Sequence, residues 1–365
     1  MSQRRPRFPL LKAISLCLTF GASLVAPALA CTGITLTSSD NARLVARSIE
    51  WGESKLDSRL VVNGRGLTVQ TRTVNGPAMK YVGKFGYVGV RIFDDSFIVE
   101  GLNEKGLSAG LFFFPGYGRY PDYQEKLRGS TVSDMQFVAW MLANFESVKD
   151  LKKALPNIRI SAIIPQAGTL HYRAADASGE QIVIEIIDGI MQVHDNKLGV
   201  LTNSPDFRWQ MTNLNNYVNL RTGPAAPVDW GNIKLSAFGV GAGMMGLPGD
   251  ISPASRFVRA AFMQASAPAL ATARDAAVYS FTILNSFEIP IGLELHDRTQ
   301  RTDLVSATQW TSSSDMTNGI FYYKTDVNAR IRSIDLKKID FSKAQSRVMP
   351  LETVTEQPIE AVDIR

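Results

Sequence analysis

The stretch "APALACTGITL" (residues 26–36) puts one of only two cysteines at the end of a leader-like segment, and this limits how the chain can be held together. Arg4, Arg5, Arg7 and Lys12 form a basic start, and an apolar run extends from Ala13 to about Val25. Pro27 then precedes Ala28-Leu29-Ala30. That order is the pattern of a secretory leader with an A-x-A cleavage site; for a membrane anchor the run is short and ends near a proline. Cleavage of residues 1–30 is expected, giving a periplasmic or secreted chain with no stable membrane anchor. Cys17 leaves with the leader, so Cys31 has no partner for an internal disulfide, although exported chains commonly use cysteines in pairs. The fold must therefore rest on buried apolar surface, for which 365 residues at 45% apolar content suffice. No repeat, low-complexity linker or compositional break divides residues 31–365, which read as one domain.

The leader accounts for four of the formal +5 charges and holds no acid, so the mature chain carries +1. Its charge says little about partners. No basic stripe interleaved with aromatics points to nucleic acid.

Two special readings explain a lone cysteine on a cleavage point: a lipidated anchor and an N-terminal nucleophile. A lipidation signal wants Leu at the third position before the cysteine and a small residue at the second; Ala28 and Leu29 stand in the reverse order. The nucleophile reading is chemically self-sufficient. A thiol with a reference pKa near 8.5 is only a few per cent thiolate at neutral pH, while an α-amine near 7.7 to 8.0 can act as base within the same residue. No histidine is then needed. His171, His194 and His296 show no spacing that suggests a dyad or metal site and read as surface or structural residues.

"CTGITLTSSDNARLVARSIEW" (31–51) reads as a β-hairpin turning at "SSDNA". A turn centred near Asp40 sets Cys31 opposite Ile49 and Gly33 opposite Arg47. Arg47 then shares a face with Cys31, across a residue with no side chain to block it, and its guanidinium favours the thiolate. Glu50 has the wrong parity for that face unless a bulge or the strand end turns it inward.

Four ordered motifs now accumulate: "CTGITL" with Arg47 and Glu50 behind it, "GLNEKGLSAGLFFFPGY" (101–117), "VLTNSPDFRWQMTNLNNY" (200–217) and "GLPGDISPASRFVRAAF" (246–262). Together they resemble the choloylglycine hydrolase/penicillin V acylase family of N-terminal nucleophile amidases. The resemblance implies an α+β fold, a four-layer αββα sandwich. It identifies Cys31 as nucleophile, Arg47 as the accompanying arginine, Asn203 as the amide on the oxyanion and Arg256 as a second site arginine. Glu50 stands where the family pattern has Asp. The Asn or Tyr that follows "AGL" in many members is missing, and the backbone N–H of Phe113 is expected to serve the oxyanion. No cofactor is implied, neither metal nor nucleotide. The family's substrates are small acyl amides, among them conjugated bile salts, penicillin V and acyl-homoserine lactones; the family also includes homo-oligomers, with tetramers among them. An inactive or Cys31-lipidated binding protein of the same fold is the alternative. Trp51, Phe112, Phe114 and Tyr117 are expected to line the acyl pocket, with Tyr120 and Phe113, and the Phe run leans toward phenoxyacetyl or aliphatic groups.

The remaining chain alternates strands and helices. A helix with Met135, Val138, Leu142 and Phe145 on one stripe starts at Ser133 or Asp134, and another runs from Ser147 to before Pro156. A meander covers Ile160–Ile164, Leu170–Ala174, Ile182–Ile187 and Ile190–His194. A helix carrying Phe207, Met211, Leu214 and Val218 follows Asn203, and further helices span Ser255–Ala265 and Thr272–Ser286. Strands near Thr308–Ser312, Ile320–Thr325 and Arg330–Leu336 close the fold. Gly241-Ala242-Gly243-Met244-Met245-Gly246 matches G-x-G-x-x-G, but Pro248 and Gly249 follow at once, leaving no helix to open on a nucleotide.

Overall fold

The computed structural model describes residues 30–364 apart from 166, 167, 296, 298, 300 and 301; the expected leader up to residue 29, and His296, lie outside them. The hairpin pairs β1 (Ala30–Thr37) with β2 (Arg43–Glu50) in the expected register, Cys31 facing Ile49 and Gly33 facing Arg47. There follow β3 (Arg59–Asn63), β4 (Tyr87–Arg91), β5 (Ile98–Asn103), β6 (Ser108–Phe113), β7 (Leu170–Ala175), β8 (Gln181–Ile187), β9 (Ile190–Asp195), β10 (Thr308–Asp315), β11 (Ile320–Thr325), β12 (Asn328–Asp335) and β13 (Ser346–Pro350). Two antiparallel sheets result. One has the order β1-β2-β10-β11-β12, the other β9-β8-β7-β6-β5-β4-β3-β13.

Every residue of β5 (IVEGLN) and β6 (SAGLFF) is buried, not every second one. An antiparallel strand loses its polar/apolar alternation when both faces are covered. Here helix α1 (Phe137–Asn144) packs on one face of β5 and β6, and β1 of the other sheet meets β6 from the opposite side. On the outer face of the five-stranded sheet lie α4 (Pro253–Ala265) and α5 (Ala273–Asn285), against β1, β2 and β10. The layers run helix, sheet, sheet, helix, an αββα sandwich. Pro253 opens α4 in the first turn, where its missing N–H costs nothing, and Thr272 with Asp275 forms a capping box on α5.

Three local readings are revised. Residues 159–161 pair parallel with 131–133 in a separate two-stranded ribbon, so the meander has three strands. Pro165 removes an N–H just beyond this segment and stops its extension toward the sheet. The stripe from Met135 begins as a 3-10 turn over Asp134–Gln136, and α1 starts only at Phe137, with α2 (Val148–Ala154) following it. After Asn203, helix α3 (Phe207–Asn213) gives way to a 3-10 turn, and Val218 is exposed. Asn215 and Asn216 turn their amides back onto Thr212 O and Asn213 Oδ1, a local competition that shortens the helix. The glycine decoy sits on a single 3-10 turn at Val240–Met244.

Candidate active site

Cys31 is buried at one end of a cleft of about 420 Å³. The hairpin brings in the first partner. Arg47 is fully buried, its guanidinium 4.3 Å from the Phe112 ring centre, with Nη1 donating to Leu111 O at 2.7 Å. Gly33 makes this approach possible, since a Cβ there would lie 3.0 Å from Phe112 and 3.2 Å from the Arg173 guanidinium.

β1 also recruits the distant motifs. Gly33 exchanges two backbone hydrogen bonds with Leu201, 2.7 and 3.1 Å, which sets Asn203 beside the cysteine. Asn203 Oδ1 accepts from the Cys31 backbone N–H (2.9 Å) and from Arg256 Nη2 (2.7 Å). A guanidinium only donates, so the oxygen of this amide must face Arg256 and its Nδ2 is turned the other way, toward Phe113 O at 2.8 Å. Arg256 Nη1 reaches Cys31 O (2.6 Å) and Thr32 Oγ1 (2.9 Å) from the first turn of α4. One Nδ2 proton of Asn203 is thus occupied by Phe113 O and the second remains for another acceptor.

Burial pushes the Cys31 thiol above its ordinary value; Arg47 and Arg256 pull it down, Glu50 raises it and the Phe113 N–H lowers it, without reversing the effect of burial. The guanidinium expected to favour the thiolate therefore acts in the right direction but does not win alone. Glu50 is turned inward after all. It is the last residue of β2, and the β10 ladder skips Gln309 between Thr308 and Trp310, the bulge that frees it from strict alternation. Its carboxyl is pushed up to about 7 by burial, against the pull of Arg256, Ser48 and Arg47. Oε1 lies 3.5 Å from Thr308 Oγ1, and Oε2 has no hydrogen-bond partner.

Strand parity sorts the aromatic residues. Leu111 and Phe113 face the cleft with Ile49, Trp51, Leu56, Ile92, Phe97, Met135 and Leu170. Phe112 and Phe114 do not line it. They point to the other side of β6, where Phe112 covers Arg47 and Phe114 stacks on His171. Tyr117 packs outside Phe114 and is 45% exposed, also off the cleft. Tyr120 does not line the cleft either, and its hydroxyl oxygen accepts the Leu170 N–H at 2.9 Å.

Residues not singled out from the sequence support this site. Glu100 bridges beneath it, 2.8 Å from Arg173 Nη2 and 3.7 Å from Arg47 Nη1, in a space that a Cβ on Gly110 would fill. Burial raises the Glu100 carboxyl while both arginines lower it. A charged residue inside apolar "FIVEGLN" and another inside "LHYRAA" are the signals that could have found this pair. Asp134, also buried, accepts from Met135 and Ile163 N–H groups and borders the cleft. His171 and His194 both face Glu185.

Burial alone would raise the Glu185 carboxyl, but hydrogen bonds from His171 and the Phe207 N–H, with His194 close by, outweigh it and hold it down at about 2. A carboxyl depressed on folding contributes stability above its unfolded value near 4.5, and loses it as pH falls toward 2. Urea unfolding is therefore expected to show roughly 3 kcal/mol less stability at pH 2 than at pH 5 from this group. In Glu185→Gln that part of the slope should vanish; an unchanged slope refutes the assignment.

With this geometry in place, the relatives can be compared. Residues 31–349 match the model of the linear amide C–N hydrolases, choloylglycine hydrolase family. The chain is 36% identical over 319 residues to the bile salt hydrolase/transferase of Clostridium perfringens, spanning 84% of this chain and 93% of that one. It is 27% identical over 350 residues to the penicillin V acylase of Pectobacterium atrosepticum, spanning 89% and 85%. The crystal structure of a mutant conjugated bile acid hydrolase from Clostridium perfringens superposes with a TM-score of 0.76 at 31% identity, covering 91% of this chain and all of that one. The penicillin V acylase of Agrobacterium tumefaciens shares the fold at TM-score 0.71 and 24% identity, over 88% and 92%. The chain therefore belongs to the choloylglycine hydrolase family of linear amide C–N hydrolases.

Proposed function

We propose that removal of residues 1–30 exposes Cys31 as the nucleophile of an exported amidase acting on a small amide with a bulky apolar acyl group. The carrying observation is the convergence on Cys31 of Arg47, Asn203, Arg256, the Phe113 N–H and the unpartnered Glu50 oxygen. The freed α-amine takes the thiol proton, and the thiolate attacks the amide carbonyl. The second Asn203 Nδ2 proton and the Phe113 N–H are aimed at the oxygen that becomes negative. The amine product leaves with the proton held by the α-amine. A water molecule, activated by the same amine, then opens the thioester. Glu50 Oε2 is suited to hold that amine in place, taking the part of the family Asp with one more methylene. No step in this scheme draws on a metal or nucleotide.

Substrate class follows from the cleft. At about 420 Å³ it falls in the ordinary range for small-molecule sites, roughly 300–1,000 Å³. A phenoxyacetyl group fills a small part of it. Of the Phe run only Phe113 lines the cleft, beside Trp51, Phe93 and Phe97, so the aromatic lining does not single out phenoxyacetyl. No Lys or Arg stands among the described lining residues, so the acyl body is neutral. A conjugated bile salt fits these features best, in keeping with the names of the Clostridium perfringens relatives. Turnover of glycine- and taurine-conjugated bile acids, penicillin V and acyl-homoserine lactones by the exported protein is the test. We expect the bile conjugates to give the highest kcat/KM; an enzyme with free N-terminal Cys31 that hydrolyses none of them overturns the proposal.

Export and maturation are part of the same reading. Ala30 and Cys31 are both buried in β1, and Ala30 sits among Ile289, Ala307, Ile251 and Ile291. A peptidase reaches this bond only before β1 docks. Intact mass of the exported protein is expected to match a start at Cys31 with no adduct; a diacylglyceryl mass supports the lipidated binding protein instead. No helix among the described residues is long and apolar enough to cross a membrane. Self-association is proposed through the projecting ribbon Val228–Trp230/Ile233–Leu235, on which Trp230 is 71% exposed. Light scattering of Trp230→Asp should report a smaller assembly than wild type if that ribbon is the contact.

A further inference from the structure

Behind the two groups aimed at the oxyanion lies a buried imidazole with an acceptor at each nitrogen. His171, on β7, is fully buried, with Nδ1 3.1 Å from Glu185 Oε1 and Nε2 3.0 Å from the Thr202 carbonyl oxygen. A carbonyl can only accept, and so can an ionised carboxylate. A neutral ring has one N–H and would leave a lone pair facing a lone pair at the other contact. The doubly protonated ring satisfies both.

This ring touches the sequence neighbours of both oxyanion groups. It stacks on Phe114 at 4.5 Å and 10° and meets Phe112 edge-on at 6.1 Å and 87°, so it grips the residues on either side of Phe113. Through Nε2 it holds Thr202, the neighbour of Asn203. Glu185 Oε1 also accepts the Phe207 N–H at 2.9 Å. The segment from Thr202 to Phe207 is thus tied at both ends to one pair of side chains, with Asn203 between the ties. Of the titratable groups nearby, His194 completes the set, its Nε2 3.5 Å from Glu185 Oε2.

We propose that His171 and Glu185 form a buried imidazolium–carboxylate pair that positions the Asn203 amide and the Phe113 N–H relative to each other. The role rests on the amidase reading of Cys31. His171 does not touch the reacting atoms; it is a positioning residue, acting through Thr202 and the flanking phenylalanines.

The two nitrogens can be tested separately in the mature enzyme. A glutamine at 171 places its Nε2 near the imidazole Nε2 and keeps a donor for Thr202. An asparagine places its Nδ2 near the imidazole Nδ1 and keeps only the Glu185 contact. We expect His171→Asn to lower kcat about 100-fold with KM unchanged, the upper end for losing a supporting partner, and His171→Gln to restore most of it. In an Asn203→Ala background His171→Asn should add little further loss, because both changes disable the same element. Full additivity, or loss confined to KM, overturns the positioning role. Nitrogen-15 NMR of the wild-type imidazoles gives a readout independent of turnover: His171 should carry protons on both nitrogens at neutral pH, and a singly protonated ring refutes the ion pair. A wild-type enzyme that cleaves no amide removes the amidase reading and the positioning role with it, whereas an active enzyme with additive variants removes the positioning role alone.

Discussion

Cys31→Ser is expected to abolish amide hydrolysis, lowering kcat by roughly 10⁴-fold or more, while secretion, fold and KM stay near wild type. Loss of a covalent nucleophile leaves only substrate binding and the oxyanion contacts to accelerate the reaction. The hydroxyl is a poor substitute here for a physical reason. An α-amine with a reference pKa near 8 lies close to a thiol near 8.5, whereas an alcohol is far less acidic and intrinsically less nucleophilic, so a site arranged around sulfur loses most of its attacking species. Burial already pushes the Cys31 thiol up, so the site has little acidity in reserve. The measurement is steady-state turnover of a conjugated bile salt, with circular dichroism as the control for fold. A serine variant as fast as the wild type places the nucleophile elsewhere.

Asn203→Ala carries the second large effect. Its Nδ2 is held by a single orientation of the amide, because Arg256 and the Cys31 N–H both occupy Oδ1. Removing one preorganised oxyanion donor typically costs about 10²- to 10³-fold in kcat. KM should change little, since the cleft is lined by apolar residues from other strands. Asn203→Asp is expected to be at least as damaging: the shape survives, but the donor is replaced by a negative charge beside a developing negative oxygen. If kcat falls less than tenfold in both variants, the amide is a structural link between β1 and the 201–207 segment and nothing more.

What could be read along the chain, and what could not, divides by distance in sequence. The hairpin of residues 31–50 was legible in full register, because a turn cluster at Asp40 and a period-two pattern determine every pairing on either side of it. That alone put Arg47 on the face of Cys31 and flagged Glu50 as out of phase. The partners at Asn203 and Arg256 lie 172 and 225 residues from Cys31. No local pattern reaches that far, and they entered through resemblance of motifs.

Parity of the Phe112–Phe114 run was equally available, yet it could not say which side of β6 is cleft and which is core. That depended on α1 and the second sheet, which cover β6 from opposite sides. The inward turn of Glu50 needed a bulge in β10, a strand more than 250 residues away. The buried partners Glu100, Arg173, His171 and Glu185 were hidden for a related reason. A charge in an apolar strand is an anomaly in sequence, and only packing reveals the opposite charge that makes its burial tolerable. Local order along the chain determined the first hairpin and the chemistry of its leading residue. The tertiary structure alone decided which distant side chains share its low-dielectric surroundings, because burial and pairing are properties of the assembled layers.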